Sequence, residues 1–321
     1  MKTIRGMCMV WITRPLIFIL TIVSVYFLWA LYAYRDIPVA QLESRYGGTE
    51  LQVIDVDGVP VRYKMQGSGP AVVLIHSHYF DMGMWDAWVD ELAQHYTVLR
   101  YDMSSHGLTG PDPSNDYSME RNIALLTGLM NSQGINAAHI VGSSLGGNIA
   151  FHTAAFHPER VRSLVLVNSG GLRRKNSRGG GEIPDWIDTV AYFVPTVAFR
   201  AFLEWMMYDD TRVSAELAER FHEMFRRQGN RTAEFERMRQ FDVGDPDQVL
   251  ALVKAPVFIQ WGEENPQLPK ELAGKMADSL TQAKSVETKI YTAVGHVLPV
   301  ERPAESVRDV MSFFRSVDGG K

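Results

Sequence analysis

From Ala71 onward the chain alternates fully apolar stretches with amphipathic ones, and this rhythm restricts the fold more than any other feature. "AVVLIH" (Ala71 to His76) has the length of a buried strand and "MWDAWVDELAQHY" the spacing of an amphipathic helix. "TVLRYD", a helix near Met119 to Gln133, "AAHIVGS", a helix from Leu145 to about Phe156, and "VRSLVLVN" continue the pattern. Apolar strands alternating with helices predict a mostly parallel sheet with helices on both faces, an α/β fold. Ahead of it, "LQVIDVDGVPVRYKM" alternates with period two and breaks at Asp57-Gly58, a dipeptide suited to a tight hairpin, so the first strands are expected to be antiparallel. Between about Gly170 and Asp247 the rhythm stops, and "IPDWIDTVAYFVPTVAFRAFLEWMMYDD" and "VSAELAERFHEMFRRQGN" read as helices without a strand between them. It resumes with "APVFIQWG" (Ala255 to Gly262), a helix near Pro269 to Leu280, "SVETKIYTAV" (Ser285 to Val294) and a closing helix from about Ala304 to Ser316.

Upstream, residues 16–34, "LIFILTIVSVYFLWALYAY", form an uncharged apolar run. As a helix it measures about 28 Å at ~1.5 Å per residue, close to a bilayer core, and is expected to span as a single-pass signal anchor. A cleaved signal peptide has a shorter apolar region and small residues before the cut, where Leu31 in the −3 slot before Ala33 fits poorly. Trp29, Tyr32 and Tyr34 gather at its distal end, as an aromatic belt would. Lys2, Arg5 and Arg14 precede the run, against Arg35 and Arg45 after it, so the positive-inside rule favours a catalytic domain on the exocytoplasmic side. The chain thus divides into a basic segment 1–15, the anchor 16–34 and a linker 35–49 before the α/β region. "RRKNSRGGG" (Arg173 to Gly181) reads as a solvated loop, with lipid-headgroup contact as the alternative.

At 321 residues and 46% hydrophobic, the chain can bury one large core or two ordinary ones. A net charge of −5 and a pI near 6.0 leave no basic footprint for nucleic acid, and small neutral substrates are the default. The one cysteine, Cys8, allows neither an intramolecular disulfide nor a cysteine-based metal site. No metal-ligand cluster or cofactor-binding loop stands out, so no cofactor is expected.

The stretch "VGSSLGGN" (Val141 to Asn148) sets G-x-S-x-G between a strand and a helix, the context a nucleophile elbow demands. Ser144 is the candidate nucleophile, presented at the carboxyl end of the sheet, where open α/β sheets bind ligands. Ser143 fills a spacer position. A serine needs a base, and His296 in "VGHVLPVERP" follows the last predicted strand and reaches the same edge. His95, His139, His152, His157 and His222 sit in or beside helices and strands with no convergent partner. An oxyanion hole needs two fixed N–H donors: the backbone of Leu145, which follows the nucleophile, and one from the loop that begins "HSHYFDMGMW".

From about residue 50 to the end the chain resembles an α/β-hydrolase of the esterase, lipase and C–C hydrolase branch. His76-Ser77-His78 resembles the family's "HG-x" turn, which implies the backbone N–H of His78 as second oxyanion donor; "DMSSHGLT" resembles "D-x-x-G-H-G-x-S", and "GHVLPVERP" resembles "GHxxxxExP". The resemblance implies a hydrolase core in residues 50–169 and 248–321, with 170–247 as a helical cap over the pocket. Ser77 replaces a usual glycine, and Ser104-Ser105 replace a common Pro-Gly pair. A third departure concerns the triad acid. The family's "WG-x-x-D" corresponds to "WGEEN", which puts Asn265 where the carboxylate belongs, and the family's other acid position corresponds to Asn168. An asparagine oxygen can orient an imidazole but brings no charge, and in serine-protease triads the Asp-to-Asn change costs about 10⁴ in turnover, roughly 5 kcal/mol. Three alternatives stay open: Asn265 as neutral orienter, Glu264 as substitute acid, or a degenerate site that only binds.

The resemblance and the residues together predict a membrane-anchored serine hydrolase. Ser144 would attack an ester carbonyl, His296 act as base and then acid, and Leu145 and His78 hold the oxyanion. Trp186, Tyr192, Phe193, Phe199, Phe202 and Trp205, with Met206, Met207 and Met224, give the insertion an aromatic and soft-apolar character suited to hydrophobic, monoacylglycerol-like esters. The alternatives are a C–C bond hydrolase, a cofactor-free perhydrolase on the same residues, or a binding protein with a decayed site.

Overall fold

Asp57 and Gly58 adopt positive φ (50° and 84°), and the resulting tight turn folds β1 (Gln52–Val56) back on β2 (Val59–Gln66) in antiparallel register. In the computed structural model, residues 17–18, 20–26, 28–173 and 183–319 are described. The basic segment 1–15, positions 16, 19 and 27 of the expected span and most of the loop Arg173 to Gly181 lie outside them.

β1 and β2 open an 8-stranded sheet with β3 (Ala71–Ile75), β4 (Thr97–Tyr101), β5 (Ala138–Ser143), β6 (Val161–Val167), β7 (Val257–Gly262) and β8 (Val286–Tyr291), in the order β1-β2-β4-β3-β5-β6-β7-β8. β2 pairs with β4 antiparallel, and every pairing from β4 to β8 is parallel. Strand alternation sends successive side chains to opposite faces. Val73 and Ile75 of β3 join one core with Leu126 and Leu129 of α2 (Met119–Ser132), Phe151 of α3 (Leu145–Phe156) and Met276 of α8 (Glu271–Ser279). Val72 and Leu74 join the other with Trp85, with Trp88 of α1 (Asp86–Leu92), and with Val310 and Phe314 of α10 (Pro303–Asp318). Both faces being covered, β3 is apolar throughout, and β5 and β7 carry only His139, Ser143 and Gln260 as polar side chains.

Between β6 and β7 the described residues form helices and no strand: α4 (Trp186–Ala191), α5 (Thr196–Met206), α6 (Ala215–Phe225) and α7 (Asn230–Gln240), then a short helix Pro246–Leu250. α6 and α7 lie over the loops that follow β3 and β4, as Arg220–Asp81 and Asn230–Gly107 contacts show. β8 ends at Tyr291, three residues before the strand expected from the sequence, because Ala293 (φ 55°) turns the chain back toward α9 (Leu298–Glu301).

The described residues of segment 17–33 are helical, and their apolar side chains are exposed, Phe18 at 66% and Leu28 at 65%. Among the described residues no helix is long and apolar enough to cross a membrane. The distal end of the segment rests on the helical insertion. Tyr34 packs edge-on against Phe193 (6.3 Å), Arg231 donates to Tyr34 O (2.6 Å) and to Asp36, and Ile37 exchanges backbone hydrogen bonds with Arg226 and Gln228.

Candidate active site

Ser144 closes β5 and caps α3 with φ 50° and ψ −111°, a conformation that bulky L-residues avoid and that persists only where the surroundings enforce it. The surroundings here are backbone. A Cβ on Gly142 would lie 2.2 Å from Gly146 O, and one on Gly146 would lie 2.3 Å from Ile75 O. The two glycines of G-x-S-x-G are therefore steric requirements of α3 turning tightly against β3 and β5. Ser144 O accepts from Gly170 N (2.9 Å) and Asn148 N (3.2 Å), which pins the turn from both sides. Ser143 Oγ is buried with no hydrogen-bond partner.

His296 lies in the loop after β8, with its backbone N–H donated to Met206 O at the end of α5 (2.7 Å). Its Nδ1 is 3.2 Å from Asn265 Oδ1. That oxygen also accepts the N–H groups of Gln267 (3.0 Å) and Leu268 (2.9 Å), while Asn265 Nδ2 is buried without a partner. Of the two candidates after β7, Asn265 meets the ring; Glu264 is exposed, and Lys270 pairs with the neighbouring Glu263 (2.6 Å). Asn168, at the other acid position, holds the loop and not the ring: its Nδ2 donates to His296 O (2.8 Å) and its Oδ1 accepts from Gly262 N (2.9 Å). Ser144 N donates to Val167 O (3.0 Å), so the nucleophile turn and the histidine loop meet at the end of β6. The buried carboxylate of Glu301, the glutamate of "GHVLPVERP", accepts from the N–H groups of Gly295 (3.0 Å), Val297 (3.2 Å) and Tyr208 (2.7 Å), fixing the backbone on either side of His296.

Among the described residues, no acceptor faces the backbone N–H of Leu145 or of His78, whereas the N–H of Ser77 is engaged by Met84 Sδ (3.2 Å). Leu145 and His78 are both half-buried, and an oxyanion hole needs two such N–H groups with no internal acceptor. The His78 side chain turns away from the sheet edge into a cluster that linear sequence did not disclose. Its Nε2 contacts Glu234 Oε1; His106 Nε2 lies 3.3 Å from Oε2, and Arg237 donates to Oε1 (2.6 Å). Burial lowers both imidazoles, His106 to about 3. Although burial opposes ionisation, the Arg237 guanidinium, helped by the His78 hydrogen bond, holds the Glu234 carboxyl well below the usual carboxylate range. His78, His106 and Glu234 bring three ligating atoms within 4.8 Å of one another, but the cation they meet is Arg237, 2.8 Å from His78 Nε2. Glu234 and Arg237 escape sequence reading because an i,i+3 pair on a polar helix looks like a solvated face. His139, read as lacking a convergent partner, is buried against Ser163 (2.7 Å) and Asp318 (3.3 Å) and stacks on Phe314. Its place is structural.

A cavity of about 370 Å³ opens between core and insertion. Phe80, Met84, Leu217, Phe221 and Val300 give it an apolar wall, with Arg212 and Arg220 at its polar side. The wall begins two residues after His78 and three after His296; neither residue lines it. The arginines near the site are engaged: Arg220 with Asp81 (2.9 Å), Arg227 with the carbonyls of Thr109 (3.0 Å) and Gln228 (2.6 Å), Arg231 with Asp36 (2.7 Å), Arg237 with Glu234 (2.6 Å).

Residues 70–303 match the family described as alpha/beta hydrolase fold, nearly three quarters of the chain. The chain belongs to the α/β-hydrolase family. Among its relatives is the 2-hydroxy-6-oxo-2,4-heptadienoate hydrolase of Pseudomonas putida, 26% identical over 282 residues, 85% of this chain and 95% of that protein. Among solved structures, a meta-cleavage product hydrolase from Pseudomonas fluorescens aligns with a TM-score of 0.72 at 25% identity, covering 83% of this chain and 97% of that one. A membrane phospholipase A described as a bacterial virulence factor aligns with a TM-score of 0.71 at 21% identity, covering 95% of this chain and 99% of that one.

Proposed function

We propose that this α/β-hydrolase is a membrane-anchored serine ester hydrolase acting on hydrophobic, lipid-like esters such as monoacylglycerols. The observation that carries the chemistry is the strained Ser144 turn at the end of the sheet where His296 is hydrogen-bonded to Asn265, with the Leu145 N–H opening the helix that follows the serine. Ser144 attacks the ester carbonyl as His296 takes its proton; the Leu145 and His78 N–H groups hold the tetrahedral oxyanion, His296 returns the proton to the leaving alcohol, and water then releases the acid. Asn265 accepts the Nδ1 proton of His296 and so holds the tautomer whose Nε2 can act as base, without adding charge.

The apolar wall of the cavity between core and insertion, whose lining also includes the carboxylates Asp81 and Asp86, and the engagement of Arg220 and Arg237 support a neutral ester over an anionic substrate. Anchoring through segment 16–34 is supported by the exposed apolar side chains among its described residues, and the excess of basic residues before it favours an exocytoplasmic catalytic domain. Exposed Trp186, Val190 and Val197 stand in sequence on either side of Phe193, against which Tyr34 packs, so the insertion adds apolar surface near the point where the anchor meets it. The membrane phospholipase A covers all but about 16 of the 321 residues, a share that includes part of segment 1–36.

A second reading, hydrolysis of a C–C bond in a dienoate on the same residues, is favoured by the likeness to the Pseudomonas putida hydrolase over 95% of its length. A panel of p-nitrophenyl esters of graded chain length beside a 2-hydroxy-6-oxodienoate separates the two. Turnover that rises beyond short acyl chains supports the lipid reading; dienoate turnover exceeding every ester replaces it with the second.

A further inference from the structure

The two proposed oxyanion donors are held in different ways. Leu145 N–H belongs to the first turn of α3, fixed by the glycine contacts of the elbow. His78 N–H sits in a loop whose next residue, Tyr79, has φ 64°, a left-handed conformation that a bulky side chain keeps only under outside constraint. That constraint comes from the insertion. The Tyr79 ring is surrounded edge-on by Phe202, Phe221 and Phe225, 6.0 to 6.1 Å away, and stacks on the His78 ring at 3.8 Å. The His78 ring is in turn fixed by Glu234 of α7, whose carboxylate also receives Ser105 Oγ (3.4 Å) from the loop after β4. Glu234 is 2% exposed and charged, and its single countercharge, Arg237, lies one turn further along the same helix. One buried carboxylate therefore joins the insertion to the core loops after β3 and after β4.

We propose that Glu234 is a positioning residue for the oxyanion loop: through the His78 ring it sets the direction of the His78 N–H, so that the second donor is correctly aimed only while the insertion is seated. The proposal rests on the esterase reading of the site. Glu234 touches neither nucleophile nor base, so its effect falls on transition-state stabilisation and not on ground-state affinity. Complete loss of one oxyanion donor costs about 10² to 10³ in kcat, and a misdirected donor retains part of that.

The test uses the full chain in detergent with a p-nitrophenyl ester, reading kcat, KM, thermal midpoint and the rate of fluorophosphonate labelling. Glu234→Gln is expected to lower kcat and the labelling rate at least about tenfold with KM within about threefold. Because this variant leaves the Arg237 guanidinium buried without its partner, Glu234→Gln/Arg237→Gln serves as the folding control and is expected to recover the thermal midpoint while kcat stays low. His78→Ala is expected to lower kcat by a similar factor, and adding Glu234→Gln to it to lower kcat no further, as befits two residues acting through one route. Recovery of kcat together with the midpoint in the paired variant, or full additivity with His78→Ala, overturns the positioning role. Wild-type protein that neither labels nor turns over esters overturns the esterase reading itself, a distinct result from a labelled wild type with an indifferent Glu234→Gln.

Discussion

Replacing Asn265 with aspartate tests the least conventional feature of the proposed site, a base oriented by a neutral side chain. His296 Nδ1 and Asn265 Oδ1 are 3.2 Å apart, and a unit charge at each end of that distance interacts by about 5 kcal/mol at an effective dielectric of about 20. Part of this is spent on desolvation, since Asn265 is 5% exposed. The site softens that cost: the N–H groups of Gln267 and Leu268 already point at Oδ1, two donors that would serve a carboxylate as well as an amide. Asn265 Nδ2 has no acceptor, so putting an oxygen there breaks no bond, although that oxygen gains no donor. A net gain of about 3 kcal/mol in the transition state, where the imidazolium forms, corresponds to a rise in kcat of roughly 100-fold. The gain is smaller than the 10⁴ lost by serine-protease triads on the reverse change because one carboxylate oxygen here stays unsolvated. Initial rates on p-nitrophenyl esters measure it, with Asn265→Asp/Ser144→Ala as background. An Asn265→Asp variant that folds normally yet turns over within about threefold of wild type refutes the claim that the missing charge limits the rate. Protection of that rate by Glu264 is then tested by Glu264→Gln.

Further expectations follow from the same coordinates. The folded pKa of His106 is pushed down by burial to about 3 from 6.5, so the unfolded chain binds the extra proton between those values, and this share of stability, complete above 6.5, is lost as the pH falls toward 3. His106→Asn should flatten the dependence of urea-unfolding free energy on pH between about 4.5 and 6.5 by about 1.4 kcal/mol per pH unit; an unchanged slope contradicts a neutral His106. Gly146→Ala, whose new Cβ would fall 2.3 Å from Ile75 O, should destabilise by at least 1–3 kcal/mol and lose fluorophosphonate labelling, read as thermal midpoint and in-gel fluorescence. Removing residues 1–29 while keeping Tyr34 and Asp36 on Arg231 should shift the protein from the membrane to the soluble fraction with kcat on a water-soluble ester unchanged. A truncated chain that stays with the membrane refutes anchoring through that segment alone.

The parallel part of the sheet was legible because its central strands are buried on two faces and mostly apolar, a pattern that local sequence states directly: Ala138 to Ser143 is buried at every position, as is Val257 to Gly262, with His139 and Gln260 the only long polar side chains among them. The elbow was legible for a related reason, since G-x-S-x-G records contacts made within a few residues of one another, apart from the approach of Gly146 to Ile75. What sequence did not disclose are contacts closed over long separations. Glu234 reaches His78 across 156 residues and Ser105 across 129. Its helical period, polar on nearly every side, gave no sign that α7 is buried along the line of Arg231, Glu234 and Arg237.

The histidine loop shows how one residue type fills two roles that local sequence cannot tell apart. Both positions where a triad acid is expected carry asparagine, and from sequence they are equivalent losses. In space they differ. Asn168 uses both ends of its amide, accepting from Gly262 and donating to the His296 carbonyl, so aspartate there would forfeit the donor and set its charge against a carbonyl oxygen. Asn265 uses its oxygen alone and leaves its nitrogen unpaired, so aspartate there forfeits nothing and faces the ring. Asn168→Asp is accordingly expected to lower turnover and thermal midpoint together, by the 1–3 kcal/mol of an unsatisfied buried group, while Asn265→Asp raises turnover. Measured side by side, equal responses of the two variants contradict this division of labour, because only unlike surroundings of the two amides predict opposite signs.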